Sequence, residues 1–159
     1  MKIPLILNNE NKILEADPSE KLLEVLRRER LFSVRQNCGK GICGSCTILL
    51  DGKPVPSCII PVAAVRDSSI ETLEHFAQTD MYKIIMDSFS KVGIQLCGYC
   101  NAGKIFAAYD LIQTYQRPDK HLIYDTVRHF ICNCSETDVL VQGIMLAASV
   151  FHKKNRSSR

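Results

Sequence analysis

The first half of the chain alternates short apolar runs with turn signals, a pattern that predicts a small β-rich domain. Residues 3–7 and 12–15 are predicted to form two strands around a turn at residues 8–10. Residues 47–50 and 53–55 are predicted to form a second hairpin, because the Asp-Gly dipeptide between them favours a two-residue turn.

A helix is predicted to begin between these two hairpins. Asp17 can cap it, Pro18 suits the first helical position, and Glu20 lies where the acid of a capping box belongs. The apolar face that follows consists of Leu22, Leu23, Val25 and Leu26. These residues are predicted to supply the apolar face of the helix.

The apolar period becomes helical after residue 79. One stripe consists of Tyr82, Ile85, Met86 and Phe89, spaced i, i+3, i+4 and i+7. Two further stripes consist of Ile105, Ala108, Tyr109 and Ile112, and of Leu140, Ile144, Ala147, Ala148 and Phe151. Residues 124–130 add a short fourth helix. All four are interpreted as core-facing helices.

A β-rich half followed by a helical half predicts an α+β chain of two small domains. Their expected bounds are residues 1–76 and 81–152, with a basic tail at 153–159. The total of 159 residues suits two small domains, since single domains run from about 50 to 250 residues.

Composition and charge exclude several functional classes. No apolar run approaches the roughly 20 residues that span a bilayer, and residues 1–4 lack the features of a signal peptide, so we expect a cytoplasmic protein with no membrane partner. The net charge of +3 is small and its basic residues are scattered, which disfavours nucleic acid. The eight cysteines therefore indicate metal binding or redox chemistry rather than a disulfide scaffold.

The first cysteine group has the spacing C-x4-C-x2-C-x11-C, which is typical of plant-type [2Fe–2S] sites. Its candidate ligands are Cys38, Cys43, Cys46 and Cys58. Glycines at 39, 41 and 44 let the loop take positive φ and bring N–H groups near the sulfurs. A structural zinc site is the less favoured alternative, because this spacing differs from common zinc patterns.

The second group has the less specific spacing C-x2-C-x31-C-x-C. Its candidate ligands are Cys97, Cys100, Cys132 and Cys134. A C-x-C pair suits two thiolates on one metal centre, and four-cysteine zinc remains an alternative to a second iron–sulfur cluster. The four histidines are scattered and pair with no nucleophile motif, so no catalytic residue is predicted.

The two groups, in this order, resemble the small iron–sulfur subunit of the xanthine dehydrogenase family of molybdenum hydroxylases. Residues 33–47, SVRQNCGKGICGSCT, are similar to the family's first-cluster loop. The CGYC of residues 97–100, followed by Gly103, and the ICNC of residues 131–134 are similar to its second-cluster motifs. The resemblance covers the chain up to the basic tail.

This resemblance implies a β-grasp, ferredoxin-like domain with the first cluster, followed by a small four-helix bundle with the second. It also implies an electron relay from a molybdopterin site to a flavin, with molybdopterin on a large partner subunit and FAD on another. The second cluster would lie nearer the molybdenum and the first nearer the flavin. The rival hypotheses are a module with structural zinc in its second domain, and a redox-sensing or assembly protein.

The second half departs from the family pattern at several positions. Leu96 stands where the family usually has a Gln that can contact the pterin, and residues 101–102 are Asn-Ala instead of Thr-Pro. Residues 132–137 are CNCSET where the family has CRCTGY. All four cysteines of the second group are present, so the second cluster is still expected.

Overall fold

The computed structural model describes residues 1–130 and 134–157. Its strands are β1 (Lys2–Leu7), β2 (Glu10–Glu15), β3 (Thr47–Leu50), β4 (Lys53–Pro56) and β5 (Ser69–Glu71). Its α-helices are α1 (Leu22–Arg28), α2 (Leu73–Phe76), α3 (Asp80–Lys91), α4 (Asn101–Thr114), α5 (Lys120–Val127) and α6 (Thr137–Ser157). Two short 3₁₀ helices, Ser57–Ile59 and Val62–Val65, lie between β4 and β5.

The five strands form one mixed sheet in the order β2-β1-β5-β3-β4. Strands β1 and β5 are parallel, with Leu7 opposite Ile70, and the other pairs are antiparallel. Apolar side chains of the sheet and of α1 share one buried core. This is the predicted β-grasp arrangement. Strand β5 was not predicted, because three residues are too few to show an alternating pattern.

Both predicted hairpins are present, and both turns have two residues. Asn8 and Asn9 have φ of 52° and 67°, and Asp51 and Gly52 have φ of 49° and 79°. Positive φ at both central positions matches the right-handed twist of the flanking strands. The predicted three-residue first turn was therefore wrong by one residue, since Glu10 pairs with Leu7 as part of β2.

Helix α1 begins later than its capping signals predicted. The Leu22 N–H donates to the Ile60 carbonyl, and the Glu20 carbonyl accepts from the Val62 N–H. This extended pairing occupies the backbone on both sides of Lys21, so the helix starts only at Leu22. Asp17 instead accepts hydrogen bonds from Ser19 in a local turn.

Helices α3 to α6 pack around a second buried core, as the three stripes predicted. The short helix starts earlier than expected, because the Asp119 carboxylate caps it by accepting from the N–H groups of His121 and Leu122. Helix α6 continues through most of the basic segment to Ser157. Within the described ranges, no helix combines the length and apolar character needed to cross a bilayer.

The two parts of the chain meet at a contact between two glycine backbones. Gly44 lies in the loop between α1 and β3, and Gly103 lies in the first turn of α4. A Cβ added to Gly103 would lie 2.8 Å from the Gly44 Cα and 2.8 Å from the Phe130 ring. Lys53 of β4 also pairs with Asp110 of α4, with Nζ and Oδ1 2.9 Å apart. The first cysteine loop is therefore held directly against α4.

We expect Gly44→Ala to destabilise the folded protein more than Gly93→Ala does. Both glycines have similar positive φ, 78° and 82°, so both substitutions introduce left-handed strain of about 1–2 kcal/mol. Only the Gly44 Cβ would overlap a neighbour, at 2.7 Å from the Phe130 ring, which adds about 1–3 kcal/mol of overpacking. Thermal unfolding of the cluster-loaded protein measures the difference, and equal midpoints for the two variants would contradict this contact.

Candidate metal centres

The first cysteine group converges at one end of the β3–β4 hairpin. Cys38, Cys43 and Cys46 lie in the loop that precedes β3, and Cys58 lies in the 3₁₀ helix that follows β4. The hairpin turns the chain back, so that the fourth cysteine returns to the loop. Cys38 is partly exposed and the other three are buried. The site thus has one side at the surface and the other in the protein.

Backbone N–H groups of the loop donate to two of the four sulfurs. The N–H groups of Lys40 and Ile42 each lie 3.4 Å from Cys38 Sγ, and that of Gly41 lies 3.3 Å from Cys58 Sγ. Positive φ of 63°, 74° and 78° at the three loop glycines allows this geometry. The predicted role of the glycines is confirmed. Such donors stabilise negatively charged sulfur.

The four thiols interact in two pairs. The Lys40 N–H lowers the pKa of Cys38 to about 6, with smaller contributions from the N–H groups of Cys43 and Ile42 and from the Cys43 thiol. Burial and, to a smaller extent, the hydrogen bond with Cys46 raise the pKa of Cys58 to about 11. Cys38 therefore pairs with Cys43, and Cys46 pairs with Cys58.

Two pairs of thiols suit a two-iron cluster, in which each iron takes two protein sulfurs. The Ser45 hydroxyl gives a separate indication. Ser45 stands between Cys43 and Cys46 in the sequence, and its buried hydroxyl has no hydrogen-bond partner among the described residues. A buried hydroxyl is costly without a partner, and anionic sulfur of a bound cluster would supply an acceptor.

The described cysteines of the second group lie around the N-terminus of α4. Cys100 is the buried residue that precedes the helix, Cys97 is exposed and Cys134 is half-buried, whereas Cys132 lies outside the described residues. Gly98 has φ of 87°, and its N–H donates to the Asn101 side chain over 2.9 Å. The positive end of a helix dipole favours a thiolate at this position.

A buried lysine contacts the second group, and the sequence analysis missed it. Lys104 is only 1% exposed, and its ammonium donates to Cys134 Sγ over 3.2 Å and to Ser135 Oγ over 2.8 Å. One signal was available in the sequence. Lys104 is the single charge within an otherwise apolar stretch, residues 102–108.

The residue at the family's pterin-contact position and two of the four histidines make contacts within the fold. Leu96 packs against the helical core, whereas Gln95 is exposed. His75 Nδ1 lies 2.6 Å from a Glu71 carboxylate oxygen, and His152 Nε2 lies near carbonyls at the end of α4. These histidines serve the fold.

Comparisons with known proteins agree with this arrangement of two sites. A family model described as "2Fe-2S iron-sulfur cluster binding domain" matches residues 9–89, and one described as "[2Fe-2S] binding domain" matches residues 72–149. The fold and the two cysteine groups therefore define the class: a protein with two successive [2Fe–2S]-binding domains.

Relatives identify the family. The nicotinate dehydrogenase small FeS subunit of Eubacterium barkeri is 32% identical over 84% of this chain and 85% of its own length. The xanthine dehydrogenase iron-sulfur-binding subunit of Escherichia coli O157:H7 is 31% identical over 83% of this chain and 84% of its own length. A chain of quinoline 2-oxidoreductase from Pseudomonas putida 86 superposes with a TM-score of 0.85 at 27% identity, covering 96% of both chains.

The chain belongs to the small iron–sulfur subunits of the xanthine dehydrogenase family of molybdenum hydroxylases. It carries two [2Fe–2S] clusters and transfers electrons as one subunit of an oxidoreductase. The relatives are small subunits of larger complexes, so this chain works with partner subunits.

The two shifted thiols predict an order of reactivity in the metal-free, full-length chain. A pKa of about 6 leaves Cys38 largely ionised at neutral pH, whereas a pKa of about 11 keeps Cys58 protonated. Because the thiolate is the nucleophile, iodoacetamide should modify Cys38 early and Cys58 late. The Cys38 rate should reach half its plateau near pH 6.

Peptide mass spectrometry after short alkylation pulses, between about pH 5 and pH 9, follows both residues at once. In urea the two thiols should react alike, since both shifts come from folded contacts. Equal rates in the folded chain would contradict the proposed hydrogen bonding of Cys38.

Proposed function

We propose that each domain holds one cluster and supplies all four of its ligands. The first cluster is ligated by Cys38, Cys43, Cys46 and Cys58 within residues 1–76. The second is ligated by Cys97, Cys100, Cys132 and Cys134 within residues 81–152. The observation that carries the proposal is the pairwise contact of four thiols, three of them in a loop rich in N–H donors and the fourth in the 3₁₀ helix that follows β4.

The pairing supports a division of the first set between two irons. Cys38 and Cys43 would bind one iron, and Cys46 and Cys58 the other. Cys58 is buried, so ionising its thiol without a metal is unfavourable, and a bound cation reverses that preference. Two separate hydrophobic cores, one for each cysteine set, support the division into domains.

The proposed partners are a large molybdopterin-binding subunit and a flavin-binding subunit that carries FAD. Large apolar side chains next to both sites support docking of other chains. Ile42 and Ile59 beside the first site, and Tyr99 beside the second, are each about half exposed. By the family resemblance, the second site faces the molybdenum subunit and the first faces the flavin subunit. We propose a cytoplasmic location for the complex.

Leu96 gives the proposed pterin contact a different chemistry from the family pattern. Its side chain cannot donate or accept a hydrogen bond, and it packs against the helical core. The exposed Gln95 next to it can supply an amide to the partner's cofactor. Substrate oxidation belongs to the large subunit in this proposal, and this chain passes on single electrons.

Metal and sulfide content tests the cofactor assignment. The anaerobically purified chain should contain about four iron atoms and about four acid-labile sulfides. Stoichiometric zinc with half that iron would favour the alternative, a structural zinc in the second domain. Failure to co-purify with a large subunit, in spite of full iron content, would favour the redox-sensing or assembly alternative.

Single ligand substitutions test the two sets separately. Cys43→Ala should remove one electron paramagnetic resonance signal of the reduced protein, and Cys132→Ala should remove the other, because each variant lacks a ligand of one domain only. Each variant is the control for the other, and circular dichroism reports whether both remain folded. Loss of both signals from either folded variant would refute the assignment of ligands to domains.

A further inference from the structure

A lysine side chain buried to 99% needs a negative partner. The Lys104 ammonium donates to Cys134 Sγ and to Ser135 Oγ, and the serine hydroxyl is neutral. Among the described residues, no carboxylate lies within 4.0 Å of its Nζ. The nearby group able to carry negative charge is therefore the Cys134 sulfur.

The position of Lys104 in the helix strengthens this requirement. Lys104 is the fourth residue of α4, near the positive end of the helix dipole, where a cation is disfavoured. The surrounding helix is buried from Ala102 to Ala108, so water cannot screen the charge. Burial and the helix dipole both oppose an ammonium here, and an anionic centre at the second site offsets both.

We propose that Lys104 is the buried countercharge of the second cluster and raises its reduction potential relative to the first. This inference rests on the proposed ligand set of the second site. A bound [2Fe–2S] cluster with four thiolates carries a charge of about −2, which becomes about −3 when it accepts one electron. An ammonium fixed 3.2 Å from a ligand sulfur stabilises the more negative state. Among the described residues, no lysine or arginine side chain donates to a sulfur of the first site, so the effect is expected at the second only.

The test is an anaerobic redox titration of the full-length, cluster-loaded chain, followed by electron paramagnetic resonance. Lys104→Met removes the charge and keeps an unbranched side chain of similar length. We expect the equilibrium constant for electron transfer from the first cluster to the second to fall about tenfold. For a one-electron couple this corresponds to a fall of about 59 mV in the second cluster's reduction potential. The first cluster's potential should not change.

Two variants serve as matched controls. Lys120→Met removes the same charge from an exposed position at the start of α5 and should leave both potentials in place. Lys104→Arg keeps the charge at the buried position. It should keep the equilibrium constant between the two clusters within about threefold of its original value. An unchanged second potential in Lys104→Met, or an equal shift in Lys120→Met, would overturn the proposal.

Loss of the second cluster from Lys104→Met is also informative. Lys104→Gln, a neutral hydrogen-bond donor, is then compared with Lys104→Arg for iron content and for the second resonance signal. Retention in the arginine variant alone supports a countercharge, whereas loss in both shows a packing role and overturns the proposal. If the unmodified chain lacks a second [2Fe–2S] signal, the ligand assignment itself fails, which distinguishes that failure from an unshifted potential.

Discussion

The close contact of Gly44 with Gly103 is the constraint on which the arrangement of both sites depends. Gly44 lies between Cys43 and Cys46, and Gly103 comes three residues after Cys100. Without side chains at these two positions, the loop that carries Cys38, Cys43 and Cys46 lies directly against the start of α4, which follows Cys100. Electron tunnelling weakens steeply with distance, so a relay needs its two centres close together. Any side chain at this contact would push the centres apart.

The two sites stabilise negative sulfur by different means. In the first, the N–H groups of Lys40, Gly41 and Ile42 donate from a loop that positive φ keeps open. Such a loop cannot be a strand or a helix, and the β3–β4 hairpin holds its two ends together. In the second, the start of α4 and the ammonium of Lys104 serve instead. A backbone donor carries a partial charge and an ammonium a full one, so the two sites have different electrostatic surroundings.

The features that sequence predicted are those encoded locally. Asp51-Gly52 predicts its turn, helical stripes predict α3, α4 and α6, and the cysteine spacing predicts the first site. The start of α1 was mispredicted, because residues 60–62 pair with residues 20–22 and no local signal reports that pairing. The contact of Gly44 with Gly103 joins positions 59 residues apart, so no local sequence pattern predicts it either. Lys104 was missed because a helical stripe is judged by its apolar members.

Exposure of the cysteines follows from the task of an electron carrier. Cys38 is partly exposed and Cys97 exposed, as are Ile42 and Tyr99 near them in the sequence, whereas Cys58 and Cys100 are buried. The exposed side of a proposed site would let a partner's cofactor approach. The buried side would face the Gly44–Gly103 contact. A fully buried centre would be too far from its partners, and a fully exposed one would be open to water and oxidants. Each of the two proposed sites therefore has one accessible side and one protected side.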